Sequence, residues 1–193
     1  MEGAFPLASL RAEGSPVSFE SGHHVRIQRN APIQLLPFRR FFRGFEKVPA
    51  VRELFGARTE QVLRDLRVEF FSSRFGYMGT SDVDGHILIS TPHLRSAEFE
   101  VVYLDVVHEL CHVRQFRQKR PLFYPKLPYV DAPSEIEAYT FTVREGRRIG
   151  MTDRQLFDYL NTQWISPAEH RRLARHTGVA VPRSKAPRRR VAR

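Results

Sequence analysis

The segment Val106–Gln115, VVHELCHVRQ, decides how this chain is read. Its upstream neighbours are apolar except Asp105. Across residues 97–118, Phe99, Val102, Tyr103, Val106, Val107, Leu110 and Val113 leave little polar face. A helix that is apolar nearly all round is a buried helix. This one nevertheless carries His108 and His112, with Glu109 directly after the first. Residues at i and i+4 stack on one face one turn apart, so both rings can reach a single ion. Burying two unpaired imidazoles and a carboxylate is costly. A divalent cation removes that cost, because neutral imidazole is a good zinc ligand. Glu109 is rotated about 100° round the helix, off the ligand pair but placed to hold a water beside the ion. The competing reading is a helix with satisfied polar residues and no metal.

The flanking sequence predicts an α+β fold. Val62, Leu63 and Leu66 follow Thr59 in a short helical pattern. The stretches RVEFFSSRFGYMG and GHILIS are rich in β-formers, and Asp84-Gly85 between them is a turn signal. A hairpin is expected, with His86–Ser90 as its second strand. The piece DVDG lacks the further spaced ligands of a calcium loop and is read as a turn. Ser96 is placed to cap the motif helix. A helix is expected from near Pro133 to Ile149, stopped by Gly150. Thr152 with Gln155, and Ser166 with Glu169, are capping-box pairs that announce two more helices, the second closed by Gly178. Upstream, Phe38, Phe41, Phe42 and Phe45 fall on one helical face and are expected to pack on the core, leaving Arg39, Arg40 and Arg43 to solvent. Leu156, Phe157, Leu160 and Trp164 are read as one apolar set in the core.

The H-E-x-x-H pattern at His108, Glu109 and His112 resembles that of the zincin metallopeptidases. The resemblance implies a zincin-like fold. A small mixed sheet of about three or four strands would pack on the motif helix, one strand at its edge, with helices forming the C-terminal half. It implies Zn²⁺ as cofactor, His108 and His112 as ligands, and Glu109 as general base for peptide hydrolysis. A third protein ligand is needed to complete such a site. Positions 115 and 118 are both glutamine, which departs from the metzincin pattern. No histidine occurs between 113 and 169, which departs from the SprT-like pattern. The gluzincins use a glutamate on a following helix, often as E-x-x-A, and SEIEAYTF offers Glu135 three residues before Ala138. Glu135 is therefore the expected third ligand, with Glu137 and then Asp131 as alternatives. Tyr139 stands where many gluzincins carry an Asp or Asn that orients a histidine, and Asp105, one turn before His108, is a candidate for that role. The resemblance spans about residues 86–149, and its size match is to small gluzincin domains of the ImmA/IrrE or minigluzincin kind. His86–Ser90 is a candidate edge strand for pairing with an extended substrate. Tyr124, Tyr129, Tyr139 and His170 are candidates for stabilising an oxyanion, with none assigned.

Composition limits the remaining options. The chain has 193 residues and a formal net charge of +10. Its last eleven residues, RSKAPRRRVAR, hold six Lys or Arg and no acid, which leaves +4 for the rest. The expected organisation is an N-terminal arm at 1–30, one domain at 31–181 and a basic tail at 182–193. Such a tail suits nucleic acid or an acidic partner. A metal-stabilised, non-catalytic binding module that uses it is the alternative to a peptidase. No apolar run is long enough to span a bilayer. The first fifteen residues lack the basic and apolar regions of a leader peptide, so a cytoplasmic protein is expected. The lone Cys111 excludes an internal disulfide and a cysteine-based zinc finger, and is read as a small buried packing residue. P-loop, G-x-G-x-x-G and G-x-S-x-G signatures are absent.

Overall fold

The computed structural model describes residues 17–18, 24–73 and 77–182, with 17, 18 and 24 described by backbone alone. The expected arm at 1–30 and tail at 182–193 lie largely outside the described residues, although His24–Ile27 within that arm is a strand. The chain divides into two compact units, 1–120 and 121–193. The fold is mixed α+β, as the strand and helix signals imply.

The first unit carries all the strands among the described residues. β1 (Val17–Ser18) and β2 (His24–Ile27) pair antiparallel. Next come β3 (Leu35–Pro37), the single-turn helix α1 (Phe38–Phe41) and β4 (Phe42–Arg43), which pairs antiparallel with β2. The phenylalanine stripe is therefore not one continuous helix. Phe42 and Arg43 are extended to join β2, and Gly44 turns the chain at φ 86°. The four rings still pack inward, at 0–1% exposure. Phe38 stacks on Phe42 at 4.9 Å, and Phe45 on Tyr103 at 5.6 Å. The period was right about burial and wrong about the backbone, since both a helix and a kinked helix–strand corner can put these positions on one side.

α2 (Pro49–Phe55) and α3 (Thr59–Asp65) lead into β5 (Arg67–Phe71), β6 (Met78–Thr80) and β7 (Ile87–Ser90). The second sheet has the order β3-β5-β7-β6. β6 and β7 form the expected antiparallel hairpin across the Asp84-Gly85 turn, whereas β5 runs parallel to β7. His86–Ser90 is thus not the edge strand expected from sequence. β7 lies between β5 and β6, and the edge on that side is Met78–Thr80. Ile87 and Ile89 are fully buried, as an interior strand requires.

α4 (Thr91–Ser96) and α5 (Phe99–Arg117) follow. Ser96 does not cap α5. Its hydroxyl donates to the Pro92 carbonyl at 2.9 Å, closing the last turn of α4, and Glu98 occupies the N-cap position without a side-chain bond. α5 lies against β6 and α2, and twelve of its nineteen residues are buried.

The second unit consists of α6 (Pro133–Arg148), α7 (Asp153–Tyr159) and α8 (Pro167–His176). Both capping boxes form: Thr152 accepts from Gln155 N–H, and Ser166 from Glu169 N–H. Gly150 and Gly178 take the left-handed conformation just beyond α6 and α8. Val130, Tyr139, Val143, Leu156, Leu160, Leu173, Ala174 and Val179 form the core. Trp164 is outside it at 54% exposure. α7 ends at Tyr159, so the helical spacing that tied Trp164 to Leu160 does not persist that far. Among the described residues no helix is long and apolar enough to cross a membrane.

The β6–β7 turn approaches α5 closely. Gly85 has φ 77°, and a Cβ there would fall 2.4 Å from the Phe116 ring of α5. Left-handed backbone costs an L-residue about 1–2 kcal/mol, and forced overpacking adds about 1–3 kcal/mol. Gly85→Ala is therefore expected to lower unfolding free energy by about 2–5 kcal/mol in urea titrations. Gly150→Ala, where no atom lies within 4 Å, carries only the backbone part.

Candidate metal centre

α5 positions the first elements of the site. His108 and His112 are 6% and 5% exposed. Their Nε2 atoms lie 3.0 Å apart, and the rings meet edge to face with centroids 4.7 Å apart. Two nitrogens bound tetrahedrally to zinc at about 2.0–2.1 Å are separated by about 3.3 Å. The observed pair is within a few tenths of an ångström of that spacing, a gap that small ring rotations close.

Gln115 sets the chemistry of the second histidine. Its Oε1 accepts from His112 Nδ1 at 2.8 Å, and its amide Nε2 lies 4.0 Å from Cys111 Sγ. An amide oxygen cannot donate, so the His112 proton belongs on Nδ1 and the lone pair on Nε2. That lone pair is directed at His108. Gln115 is fully buried and Arg114 half-buried. Asp105, the candidate for orienting His108, is instead 2.7 Å from His93 Nε2 on α4. Cys111 is fully buried, as a packing residue should be.

Glu109 is 5% exposed, and Thr80 on edge strand β6 reaches it. The Thr80 hydroxyl is 2.8 Å from Glu109 Oε2 and 3.3 Å from the Glu109 carbonyl oxygen. The bond ties the carboxylate to the strand and helps to offset its desolvation. Thr80 escaped the sequence analysis because no local spacing links it to Glu109, 29 residues on; the packing of α5 against β6 brings them together.

Glu135 occupies the first turn of α6 behind Pro133, where the helix dipole favours a carboxylate. It is 8% exposed. Tyr129 hydrogen-bonds to its carboxylate. Burial, followed by the Tyr139 hydroxyl and the Glu135 carboxylate, pushes the Tyr129 phenol well above its ordinary pKa, so it remains a neutral donor. The Tyr129 and Tyr139 oxygens are 3.0 Å apart. Tyr139 thus meets Tyr129, which in turn holds Glu135, in place of the Asp or Asn expected there.

His108 and His112 each offer a ring nitrogen and Glu135 a carboxylate oxygen, and all three residues are buried. This buried group could hold a metal ion. Glu137 is half-buried and outside the group, and Asp131 accepts from Arg172 at 2.8 Å and lies 3.1 Å from His176. The other described imidazoles have structural partners: His86 with Asp84 and Glu69, His93 with Asp105, His170 with the Phe157 carbonyl and His176 with Asp131. His170, a candidate for oxyanion binding, is thereby tied to the second unit's core.

Two imidazoles and a carboxylate, all buried, are the donor set that zinc and other first-row divalent ions take. Comparison of the chain with family models, with curated proteins and with solved structures gives no significant match.

Proposed function

We propose that the chain is a small metal-dependent peptidase of gluzincin type, with zinc held by His108, His112 and Glu135 and with Glu109 as general base. The observation that carries this reading is the composition of the buried group. It offers three protein donors, with a second acid, Glu109, tethered beside the histidine pair by Thr80. Structural zinc sites are closed by four protein ligands, whereas catalytic sites keep three and leave a position for water. A non-catalytic metal module has no need of a buried carboxylate beside its ligands, and such a carboxylate is expensive to keep.

A divalent ion in this group would acidify water and polarise a carbonyl. The chain's own residues supply the rest. The Glu109 carboxylate accepts the proton of the attacking water and returns it to the departing amine nitrogen. Thr80 keeps that carboxylate from rotating away. Gln115 holds the His112 proton on Nδ1. Tyr129 fixes Glu135 through a neutral hydrogen bond. β6, the free edge of its sheet, carries Thr80 and so runs past Glu109, and an extended peptide added there would pass beside the general base.

Purified protein is expected to contain about one zinc per chain by elemental analysis. Glu109→Gln should keep that metal and lower peptide-cleavage kcat by about 10²–10⁴-fold, the usual contribution of general acid–base catalysis. If wild type and Glu109→Gln both retain zinc and are equally inert across a broad peptide library, the binding-module reading replaces this one.

The Gln115 contact predicts a separate effect. Gln115→Met, which keeps the volume but removes the acceptor, should weaken zinc binding by about 10–100-fold in chelator competition. Gln115→Glu should restore most of it, because the carboxylate accepts from the same Nδ1–H.

A further inference from the structure

A second candidate site lies on the first unit's smaller sheet. Arg26, Ile27, Gln28, Arg29, Asn30, Arg40, Phe41 and Arg43 line a groove of about 320 Å³. That volume is at the lower end of small-molecule sites. Four of its eight lining residues are arginine and none is acidic.

The four arginines are not equivalent. Arg29 is half-buried, and its guanidinium donates to the Leu94 carbonyl at 3.0 Å and to that of Ala97. Burial lowers its pKa, and the charges of Glu98 and Glu100 oppose that shift. Arg29 therefore serves the C-terminal end of α4. Arg26, Arg40 and Arg43 are exposed, and none forms an ion pair among the described residues. The Arg40 guanidinium carbon lies 5.5 Å from the Phe41 ring centroid.

The register makes the arrangement costly. Arg26 and Arg43 are direct cross-strand partners on β2 and β4. Like charges placed directly opposite on an antiparallel pair are destabilising. A glutamine or threonine at either position would relieve the repulsion without disturbing the ladder. Stability therefore gives no reason for this pair, and an anion held between the two guanidinium forks does. A lone carboxylate would neutralise one of the three exposed charges. A phosphate ester carries more charge and presents several acceptor oxygens to the planar arginine fork. Gln28 and Asn30 at the same groove add amide groups for a neutral part of the ligand.

We propose that the groove between β2, β4 and α1 is a binding site for a phosphate ester, with Arg26 and Arg43 gripping the phosphate across the strand pair and Arg40 flanking it. The ester is a free nucleotide or the backbone of a nucleic acid, which present the same group. The site is independent of His108, His112 and Glu109.

The test uses the full-length protein and three probes: inorganic phosphate, ADP and a fluorescently labelled ten-residue oligothymidylate, each titrated at 50 mM and 200 mM salt. Wild type is expected to bind ADP or the oligonucleotide, more weakly at the higher salt. The Arg26→Gln, Arg43→Gln double variant should bind at least tenfold more weakly, while its unfolding temperature without ligand stays level or rises. Both proteins carry the same basic tail, so any affinity the tail supplies remains in the variant. Arg40→Gln, which shortens an exposed side chain, should weaken binding in the same direction and covers the case of a double variant that does not fold. Preference for ADP identifies a nucleotide site, and preference for the oligonucleotide with a steep salt dependence identifies a nucleic-acid surface. The proposal is overturned if wild type binds none of the probes at millimolar concentration, or if every variant binds as wild type does. Neither result bears on the peptidase, because Glu109→Gln is expected to bind the same probe unchanged.

Discussion

The desolvation of helix α5 governs the rest of the candidate site. His108, Glu109, His112 and Gln115 are all at most 6% exposed, on a helix whose other buried positions are Val, Leu, Tyr and Cys. Polar groups in such surroundings must find partners or cost several kcal/mol together, on the order of 1–3 kcal/mol each. The structure supplies those partners in two ways. Gln115 serves His112 from the next turn of the same helix, and Thr80 serves Glu109 from another element. The two Nε2 atoms face each other 3.0 Å apart, close to the spacing of two nitrogens on one zinc ion.

The sheet explains why Glu109 can be held as it is. β6 has only three residues, and it pairs on one side with β7. Short edge strands are the usual means of limiting unwanted strand addition. Here the short edge also ends at Thr80, so that the hydroxyl lands on the carboxylate. The turn that follows must be tight, and Gly85 meets the Phe116 ring near the end of α5. Strand, turn and helix are thus locked at two points, Thr80 to Glu109 and Gly85 to Phe116.

Much of this was legible where the physics is local. The spacing of His108 and His112, both capping boxes, Gly150 and Gly178 as helix stops, and the burial of Cys111 each rest on contacts within a few residues. Non-local pairing was less accessible. β-formers run through Arg67–Gly79, but nothing in that run shows that β5 pairs parallel with β7 while β6 takes the edge. The phenylalanine stripe identified buried residues and hid the strand at Phe42–Arg43, because its period survives a backbone break at Gly44. Trp164 was assigned by size and spacing to a core that its helix does not reach. Gln115 could have been found, since a buried amide three residues after a histidine has a ready partner on its own helix. Tyr129 as the partner of Glu135 could not, since the two are joined through a loop and a helix start.

These two kinds of support have different consequences for the site. The histidine pair depends on helical geometry alone: wherever α5 forms, His108, His112 and Gln115 keep their mutual positions. Glu109 depends on β6 keeping its register, and a one-residue slip would turn Thr80 to the opposite face of the sheet. Disturbance of the edge strand would therefore loosen the carboxylate before it touched the imidazoles. In this fold the spacing of the two imidazoles and the placement of the neighbouring carboxylate rest on separate structural features, the first on the repeat of one helix and the second on a long-range hydrogen bond from another element.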